Sequence, residues 1–402
     1  MKIERGYKTE IDPNNRQRTV LEGHGHAARF AYNWGLARWQ ELHEQGEKTD
    51  AMKLHKEINQ LKDGDLAWLR SFSKCAPQEA LRDLQRAFQN FFKRVKQGVK
   101  PGFPRFKSRH RAPLKFRLTG SIKIERRRIK LPNIGWVRLK EADYLPVGAH
   151  VKAATVRQVA GRWFVSVLVE EEIAEPAPTT DQVIGVDLGV SHMATCSDGT
   201  VYENPKPLKR LLYTLKKLSK RLSRKQKGSR NREKAKAKIQ RLHYRISCMR
   251  KDALHKATTE VVRTKRPSVI VLEDLNVSGM QKNCSLARAI SDVGMHEFRR
   301  QIEYKAKLEG VQVVVVDRFF PSSKTCNHCG AIHDMPLGER TYRCNCCGYV
   351  EDRDVNAAKN LAKVVTVSST GRACGEDVRP TFGKADLGEA GSEHQACYVK
   401  FG

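Results

Sequence analysis

Apolar residues recur at two different periods along this chain, and the changes of period divide it into parts. In the first hundred residues they return every three or four positions. Leu81, Leu84, Ala87, Phe88, Phe91, Phe92 and Val95 share one helix face. Ala28, Phe30, Ala31, Trp34 and Ala37 outline a second helix. The stretch Gly98 to Phe106, with Pro101 and Pro104, breaks that pattern. From about Thr119 to Glu172 the period becomes two. Ile122 and Ile124, then Ile129 and Leu131, read as strands, and Val151 to Gln158 with Trp163 to Glu170 flank Ala160-Gly161-Arg162 as a hairpin. A small β-barrel or sheet fits this run. Ile173 to Thr180, with Pro176 and Pro178, is a linker by composition.

Beyond the linker, three continuous apolar runs predict buried strands: Val183 to Gly189, Ser268 to Leu275 and Val311 to Val316. Arg288 to Glu309 is expected to be one helix. Leu208, Leu211, Leu212, Leu215, Leu218 and Leu222 follow helical spacing, Gln226 to Ser229 reads as a turn, and Ile239, Leu242 and Ile246 resume the helix. The segment from about Thr366 to Gly402 is weakly periodic, with four bases and five acids, and is expected to be a flexible tail.

Charge changes the picture. The 402 residues carry 75 Lys+Arg against 44 Asp+Glu, a formal +31. With 40% hydrophobic and 30% charged residues, this is the composition of a globular chain of two or three domains. A polyanion or very strong solvation must offset so large a charge, and nucleic acid is the counterpart expected. Pro205 to Lys251 holds 19 Lys+Arg and the single acid Glu233, so this leucine-striped helical hairpin supplies +18 of the total. A run of cations is ordinarily a solvated face. Here there is hardly any acid for pairing along the helix, so a phosphate backbone is the expected occupant, with Lys216, Lys217, Lys220, Arg221, Arg224 and Lys225 as contacts. Phe91, Phe92, Lys93, Arg94, Lys96, Lys100, Phe103, Arg105 and Phe106 interleave aromatics with bases, as in surfaces that stack on nucleobases. Phe91 and Phe92 continue the helix stripe and read as core; Arg105 reads as a nucleic-acid contact. The opening Met1 to Gly6 is polar, and the most apolar stretch, Val311 to Val316, is far short of a membrane span. The expectation is a cytoplasmic protein with no membrane partner.

Five of the 11 cysteines fall between Cys326 and Cys347. An odd total in a reducing compartment argues against a disulfide framework. Cys326 and Cys329, then Cys344 and Cys347, form two C-x2-C pairs separated by 14 residues, each followed by a glycine, Gly330 and Gly348. Four thiolates make a closed tetrahedral zinc site, structural rather than catalytic. Cys346 is a surplus thiol, and His328 and His333 are substitutes; four unpaired core cysteines are the plainer alternative. A second constellation is acidic. Asp187 and Glu273 each end an apolar strand, and Asp352 and Asp354 open a helix. Buried strand-end carboxylates are costly unless paired or metal-bound. Three of them converging can hold two Mg2+ ions for phosphodiester hydrolysis. The same residues also serve as helix caps and solvated strand ends, Asp352 above all.

Taken in order, Gly185-Val186-Asp187-Leu188-Gly189, Leu272-Glu273-Asp274-Leu275-Asn276, Phe320 to Gly330 and Asp352 to Ala358 resemble the TnpB family of transposon-encoded RNA-guided nucleases, related to compact type V CRISPR effectors. Ala28 to Trp34 and Gly102 to Phe106 are similar to its N-terminal motifs, so the likeness runs to about Leu361. The resemblance implies a multidomain α+β chain. Residues 1–10 would be the first strand of a wedge β-barrel, 11–105 a helical recognition domain, 106–172 the rest of the barrel and 173–181 a linker. Residues 182–320 would be a RuvC-type RNase H-like nuclease domain with the basic hairpin at 205–265. A zinc ribbon (321–350), a final nuclease helix (351–365) and the tail (366–402) would follow. It implies Asp187, Glu273 and Asp354 as Mg2+-binding catalytic acids, one Zn2+ on Cys326, Cys329, Cys344 and Cys347, and Lys74, Gln78 and Thr119 as contacts to the target-adjacent duplex. The implied partners are a guide RNA and target double-stranded DNA, with one protein copy per RNA and nucleoid association when bound to target. The alternatives are a CRISPR-guided effector of the same chemistry, a guided DNA binder without cleavage, and a strand-joining transposase.

Overall fold

The computed structural model describes residues 2–370 apart from 110, 111, 175, 177–179 and 337, and within 366–370 the backbone alone. The expected tail therefore lies largely outside the described residues. The chain opens on β1 (Lys2–Asp12) and passes into α1 (Asn15–Glu44) through a reciprocal cap. The Asn14 side chain accepts from the Gln17 N–H, and the Gln17 side chain accepts from the Asn14 N–H. Then come α2 (Ala51–Leu61) and α3 (Cys75–Lys96). Small residues on α1 let α3 close on it: a Cβ on Gly35 would stand 2.4 Å from Leu81 Cδ2. Leu81, Leu84 and Phe88 of the expected stripe are buried, whereas Phe92 and Val95 are 49% and 50% exposed. The stripe outruns the core that it serves, so Phe92 is not a core residue.

The period-two region forms β2 (Lys115–Leu118), β3 (Lys123–Glu125), β4 (Arg128–Leu131), β5 (Gly135–Leu139), β6 (Val151–Val159) and β7 (Arg162–Glu172). With β1 they make a seven-stranded sheet in the order β2-β6-β7-β1-β5-β4-β3. The β6–β7 hairpin turns at Ala160-Gly161, both at positive φ, which matches the twist of its strands. Long β1 serves two neighbours: Ile11 pairs with Trp163 on one side and Leu139 on the other. The expected barrel is not closed. Among the described residues, end strands β2 and β3 share no ladder, and at four and three residues they are too short to seal one. The sheet still curls around one core with the helices, in which Ile11, Leu118, Ile129, Val137, Val156 and Val165 meet Leu36, Leu81 and Leu84.

The second body is built on β8 (Val183–Asp187), β9 (His192–Cys196), β10 (Val201–Glu203), β11 (Val269–Glu273) and β12 (Gln312–Val316), in the order β10-β9-β8-β11-β12. β9 is antiparallel to β8 and to β10; β11 is parallel to β8 and to β12. The strand order within this body is thus 3-2-1-4-5. The short strands β9 and β10 carry no strong sequence signal and were not expected. Between β10 and β11 runs the hairpin, α4 (Pro207–Ser223) and α5 (Arg230–Thr259). Its leucines are half-buried, since two helices alone cover only a seam. Its root is anchored by buried Asp292, which accepts from Leu208 N–H, Lys209 N–H and the Arg250 guanidinium. After β11 come α6 (Val277–Met280), α7 (Ala287–Val293) and α8 (Met295–Glu309). The single helix expected from Arg288 to Glu309 is broken at Gly294, where φ is +80°. Finally β13 (Thr341–Arg343) pairs with β14 (Val350–Asp352), and α9 (Arg353–Thr370) follows, two residues later than expected and running past 365.

The sheet separates two apolar faces by strand alternation. Ile184, Val186, Ile270 and Leu272 face Leu254, Phe298 and Ile302 of the helices. Val271 and Val316 face Leu361 of α9 on the other side. No helix among the described residues is long and apolar enough to cross a membrane.

Candidate active site

Parallel pairing places two of the three expected acids side by side. Leu272 lies opposite Val186 in the β11–β8 register, so Asp187 and Glu273 are the next residues at neighbouring carboxyl ends. Strand ends in that position are where open sheets carry their sites. The third acid arrives by a close helix–strand approach. A Cβ on Gly185 would stand 2.0 Å from Ala358 O and 2.7 Å from Ala362 N, so only glycine lets α9 lie on β8 here. Asp354, one turn before Ala358, is thereby carried to the same sheet end.

The electrostatics agree with this placement. Burial first, then the charges of Glu273 and Asp354, push Asp187 up to about 8 from 3.8. Burial raises Glu273 as well, against the Ser322 hydroxyl, which donates to its carboxylate. Asp354 faces Arg340 Nη1 at 3.3 Å and His192 Nδ1 at 3.7 Å, and Arg340 also donates to Ser191 Oγ. The three carboxylates are drawn to one place but not clenched. The group of ligand atoms lying within 4.8 Å of one another that the four thiols form has no counterpart among these acids. Their all-oxygen donor set is one that hard divalent cations accept. Asp352 is exposed and caps α9, accepting from Asp354 N–H at 2.9 Å and Val355 N–H at 3.1 Å. Asp274 turns away from the trio and ties Arg299 to Arg318. A cleft of about 400 Å3 beside Glu273 is lined by His296, Arg299 and Arg300.

The ribbon sits against the same helix. Its two halves repeat one turn: Gly330 N–H donates to Cys326 O and Gly348 N–H to Cys344 O, with both glycines at positive φ. Cys326 N–H donates to Ala331 O and Cys344 N–H to Tyr349 O, each at 2.8 Å. The four sulfurs lie within 4.8 Å of one another, with Cys326–Cys347 at 3.7 Å and Cys329–Cys344 at 3.5 Å. A tetrahedron with arms of about 2.3 Å has edges of roughly 3.8 Å, so the cluster fits a zinc ion. His333 Nε2 lies 3.2 Å from Cys344 Sγ, outside the four, and Cys346 is exposed.

Four residues here were not foreseen. Asn356 and Asn360, buried on α9, bond the ribbon backbone: Asn356 accepts from Asn327 N–H and donates to Thr325 O, and Asn360 donates to Ser322 O and Thr325 O. Arg340 and Ser322 each bond one of the acids. The signal for the asparagines was present, two amides four residues apart on an otherwise apolar helix face. Arg340 and Ser322 carry none.

The expected nucleic-acid contacts fall on separate surfaces. Lys216, Lys217, Lys220, Arg221, Arg224 and Lys225 are exposed on α4 and its end, and none has an ion pair among the described residues. Lys74 and Thr119 line one groove of about 660 Å3, with half-buried Gln78 one turn along α3. Cys75 links the two walls, accepting from Thr119 Oγ1 at 3.3 Å. Arg105 is exposed in the loop after α3. A larger cleft, about 680 Å3, runs between α1, the β6–β7 turn and α5, with Arg29, Arg109, Arg157 and Lys236 in its walls.

This architecture is shared with known proteins. The solved structure "Cryo-EM structure of the Cas12f1-sgRNA-target DNA complex" superposes with a TM-score of 0.54 at 13% identity, over 90% of this chain and 99% of that one. The fold therefore resembles that of the compact Cas12 proteins. Family profiles match along the chain: one described as "Probable transposase" over residues 164–284, one as "Cas12f1-like, TNB domain" over 296–361, and one as "Helix-turn-helix domain" over 1–48. A Streptomyces pristinaespiralis protein named "Putative RNA-guided DNA endonuclease" is 38% identical over 391 residues, 94% of this chain and 92% of that protein. The like-named InsQ of Escherichia coli (strain K12) is 36% identical over 399 residues, covering 94% and 96%. The chain belongs to the TnpB/OrfB family.

Proposed function

We propose that this chain is an RNA-guided DNA endonuclease of RuvC type, cutting double-stranded DNA beside a short target-adjacent motif. The observation that carries the proposal is the meeting of Asp187, Glu273 and Asp354 at one end of the five-stranded sheet ordered 3-2-1-4-5. The names of the full-length relatives support the guided activity. Asp187, Glu273 and Asp354 would hold two Mg2+ ions, which when bound supply an activated water and stabilise the leaving oxygen. Asp187 must shed its proton to take that role. Glu273 is aimed by Ser322, and Asp354 by the seat of α9 on Gly185. Arg299 and Arg300 would meet strand phosphates in the cleft beside Glu273. Cys326, Cys329, Cys344 and Cys347 would hold one structural Zn2+. The curled sheet would serve as the wedge domain and α1 to α3 as the recognition domain, with Lys74, Gln78 and Thr119 at the target-adjacent duplex. The hairpin cations would track phosphates of the guide or its heteroduplex.

The test is expression with the flanking DNA, sequencing of the co-purified RNA, and challenge with a randomised-flank plasmid library in Mg2+. One discrete RNA and one depleted flank motif are expected, and Asp187→Ala should keep the RNA and lose all cutting. Cutting by Asp187→Ala at the wild-type rate would overturn the site. A discrete RNA with no wild-type cutting would favour a guided binder.

A further inference from the structure

The end of α3 and the loop after it carry an apolar patch that the proposed cleavage site does not use. Its inner member is Phe88, buried and stacked on Trp39 with centroids 4.5 Å apart. Outward from it, Phe92 lies near-parallel at 6.3 Å and Phe103 edge-on at 5.6 Å. Phe91 sits edge-on to both outer rings, at 5.2 Å and 5.4 Å. The outer rings remain open: Phe92 is 49% and Phe103 46% exposed, and Phe106, Val95 and Val99 beside them are more than half exposed or close to it. The loop is held rather than slack, since Asn33 on α1 both accepts from Lys107 N–H and donates to Lys107 O. A pocket of about 460 Å3, lined by Phe91, Lys93, Arg94 and Gly102 among others, opens beside the rings.

Charge selects the occupant. Residues 85–111 contain nine Lys+Arg and no acid. Lys93, Arg94, Lys96, Lys100 and Arg105 are exposed and make no ion pair among the described residues. A second copy of a +31 chain would be repelled here. Aromatic faces in a cationic frame fit a single strand of nucleic acid, which offers a π-face and a phosphate with every residue. We propose that Phe92 and Phe103 form a stacking platform for an unpaired nucleobase, with Arg94 and Lys96 holding the adjoining phosphate. The strand can be the guide or displaced target DNA; the chemistry is the same. This rests on the reading that the chain handles nucleic-acid strands.

The test uses the full chain, single-stranded RNA and DNA oligonucleotides carrying 2-aminopurine, and the variants Phe92→Ala, Phe103→Ala and Phe92→Trp, with thermal melting to confirm folding. Each alanine variant is expected to weaken binding about tenfold and to relieve 2-aminopurine quenching, and Phe92→Trp to restore both. The salt slope should be unchanged in these variants and smaller in Arg94→Ala with Lys96→Ala. A larger effect on RNA than DNA assigns the platform to the guide, and the reverse to the displaced strand. Wild-type binding with unchanged affinity and quenching in folded alanine variants overturns the platform and leaves the nuclease proposal standing. Failure of the wild-type chain to bind either oligonucleotide at low salt overturns both.

Discussion

Gly185→Ala is a one-methyl test of how the third acid reaches the site. The new Cβ would stand 2.0 Å from Ala358 O and 2.7 Å from Ala362 N. Both atoms are backbone, so no side-chain rotation relieves the clash. Helix α9 must retreat by at least about 1 Å in an interior packed to crystal density. Overpacking of this kind costs about 1–3 kcal/mol, and roughly 2–4 °C of melting temperature is lost per kcal/mol in a body of this size. The retreat is not free to go anywhere. Leu361 is packed on Val271 and Val316, and Asn356 and Asn360 hold the helix to the ribbon. Asp354, one turn ahead, moves with the helix, and a misplacement of about 1 Å costs on the order of 100-fold in rate. Melting by circular dichroism, guide-RNA retention and Mg2+-dependent cleavage should be read on the same preparation. The expected result is a folded, RNA-bearing protein with a lower melting temperature and about 100-fold slower cutting. A variant that melts and cuts like wild type would refute the close seat of α9 on β8, and with it the delivery of Asp354.

The remaining predictions concern the same neighbourhood. Asp187 holds a proton in the folded, magnesium-free chain up to about pH 8 that the unfolded chain releases near 3.8, so stability falls as pH rises through that window. Asp187→Asn should flatten the decline of melting temperature between pH 5 and 8; parallel profiles would count against the burial of this group. Cys344→Ser should lower zinc content below one per chain and open residues 321–350 to protease, whereas full zinc retention would mean that His333 or Cys346 replaces it. Asn356→Ala strands the Asn327 N–H and the Asn356 share of Thr325 O, at about 1–3 kcal/mol per buried group left unpaired. It should therefore lower both melting temperature and cutting while sparing RNA binding; unchanged melting would show that the ribbon does not lean on α9.

What could be read from the sequence was what local spacing determines. The two C-x2-C-G turns sit close enough in the chain that spacing alone predicts a four-thiol cluster. Asp187 and Glu273 end apolar runs, so their burial is a local inference. Asp354 is different: its place depends on a glycine 169 residues earlier that makes room for a helix, visible only once α9 lies on β8. Arg340 and Ser322 were invisible because a surface arginine and a loop serine acquire partners only through tertiary folding. The stripe on α3 continued to Phe92 and Val95 because helical period reports a face, not what covers it. Closure of the expected barrel turns on whether strands of three and four residues find each other, which strand alternation does not encode. Gly294, a helix-ending residue inside an otherwise continuous helical pattern, was an overlooked local signal, as were the two amides on α9.

The contacts around the acids bear on whether the ribbon is a detachable module. In the metal-free chain each carboxylate is accommodated differently. Asp187 is pushed toward its neutral form, Glu273 takes the Ser322 hydroxyl, and Asp354 takes Arg340 and His192. Ser322 and Arg340 both come from the segment between β12 and β14, and Asn356 and Asn360 bind that segment to the helix bearing Asp354. Asp354 would have to exchange Arg340, and Asp187 its proton, for a divalent cation if the three acids are to hold one. Occupation of the site would therefore redistribute charge across the ribbon boundary, and Arg340, released from Asp354, would be a cation available to a strand phosphate. Removing the ribbon would take away one carboxylate's hydroxyl donor and another's counter-ion. By this reasoning the four thiols matter to the acidic centre chiefly because they hold Ser322 and Arg340 in place, and loss of the thiol-bound ion should slow cutting even where all three acids are intact.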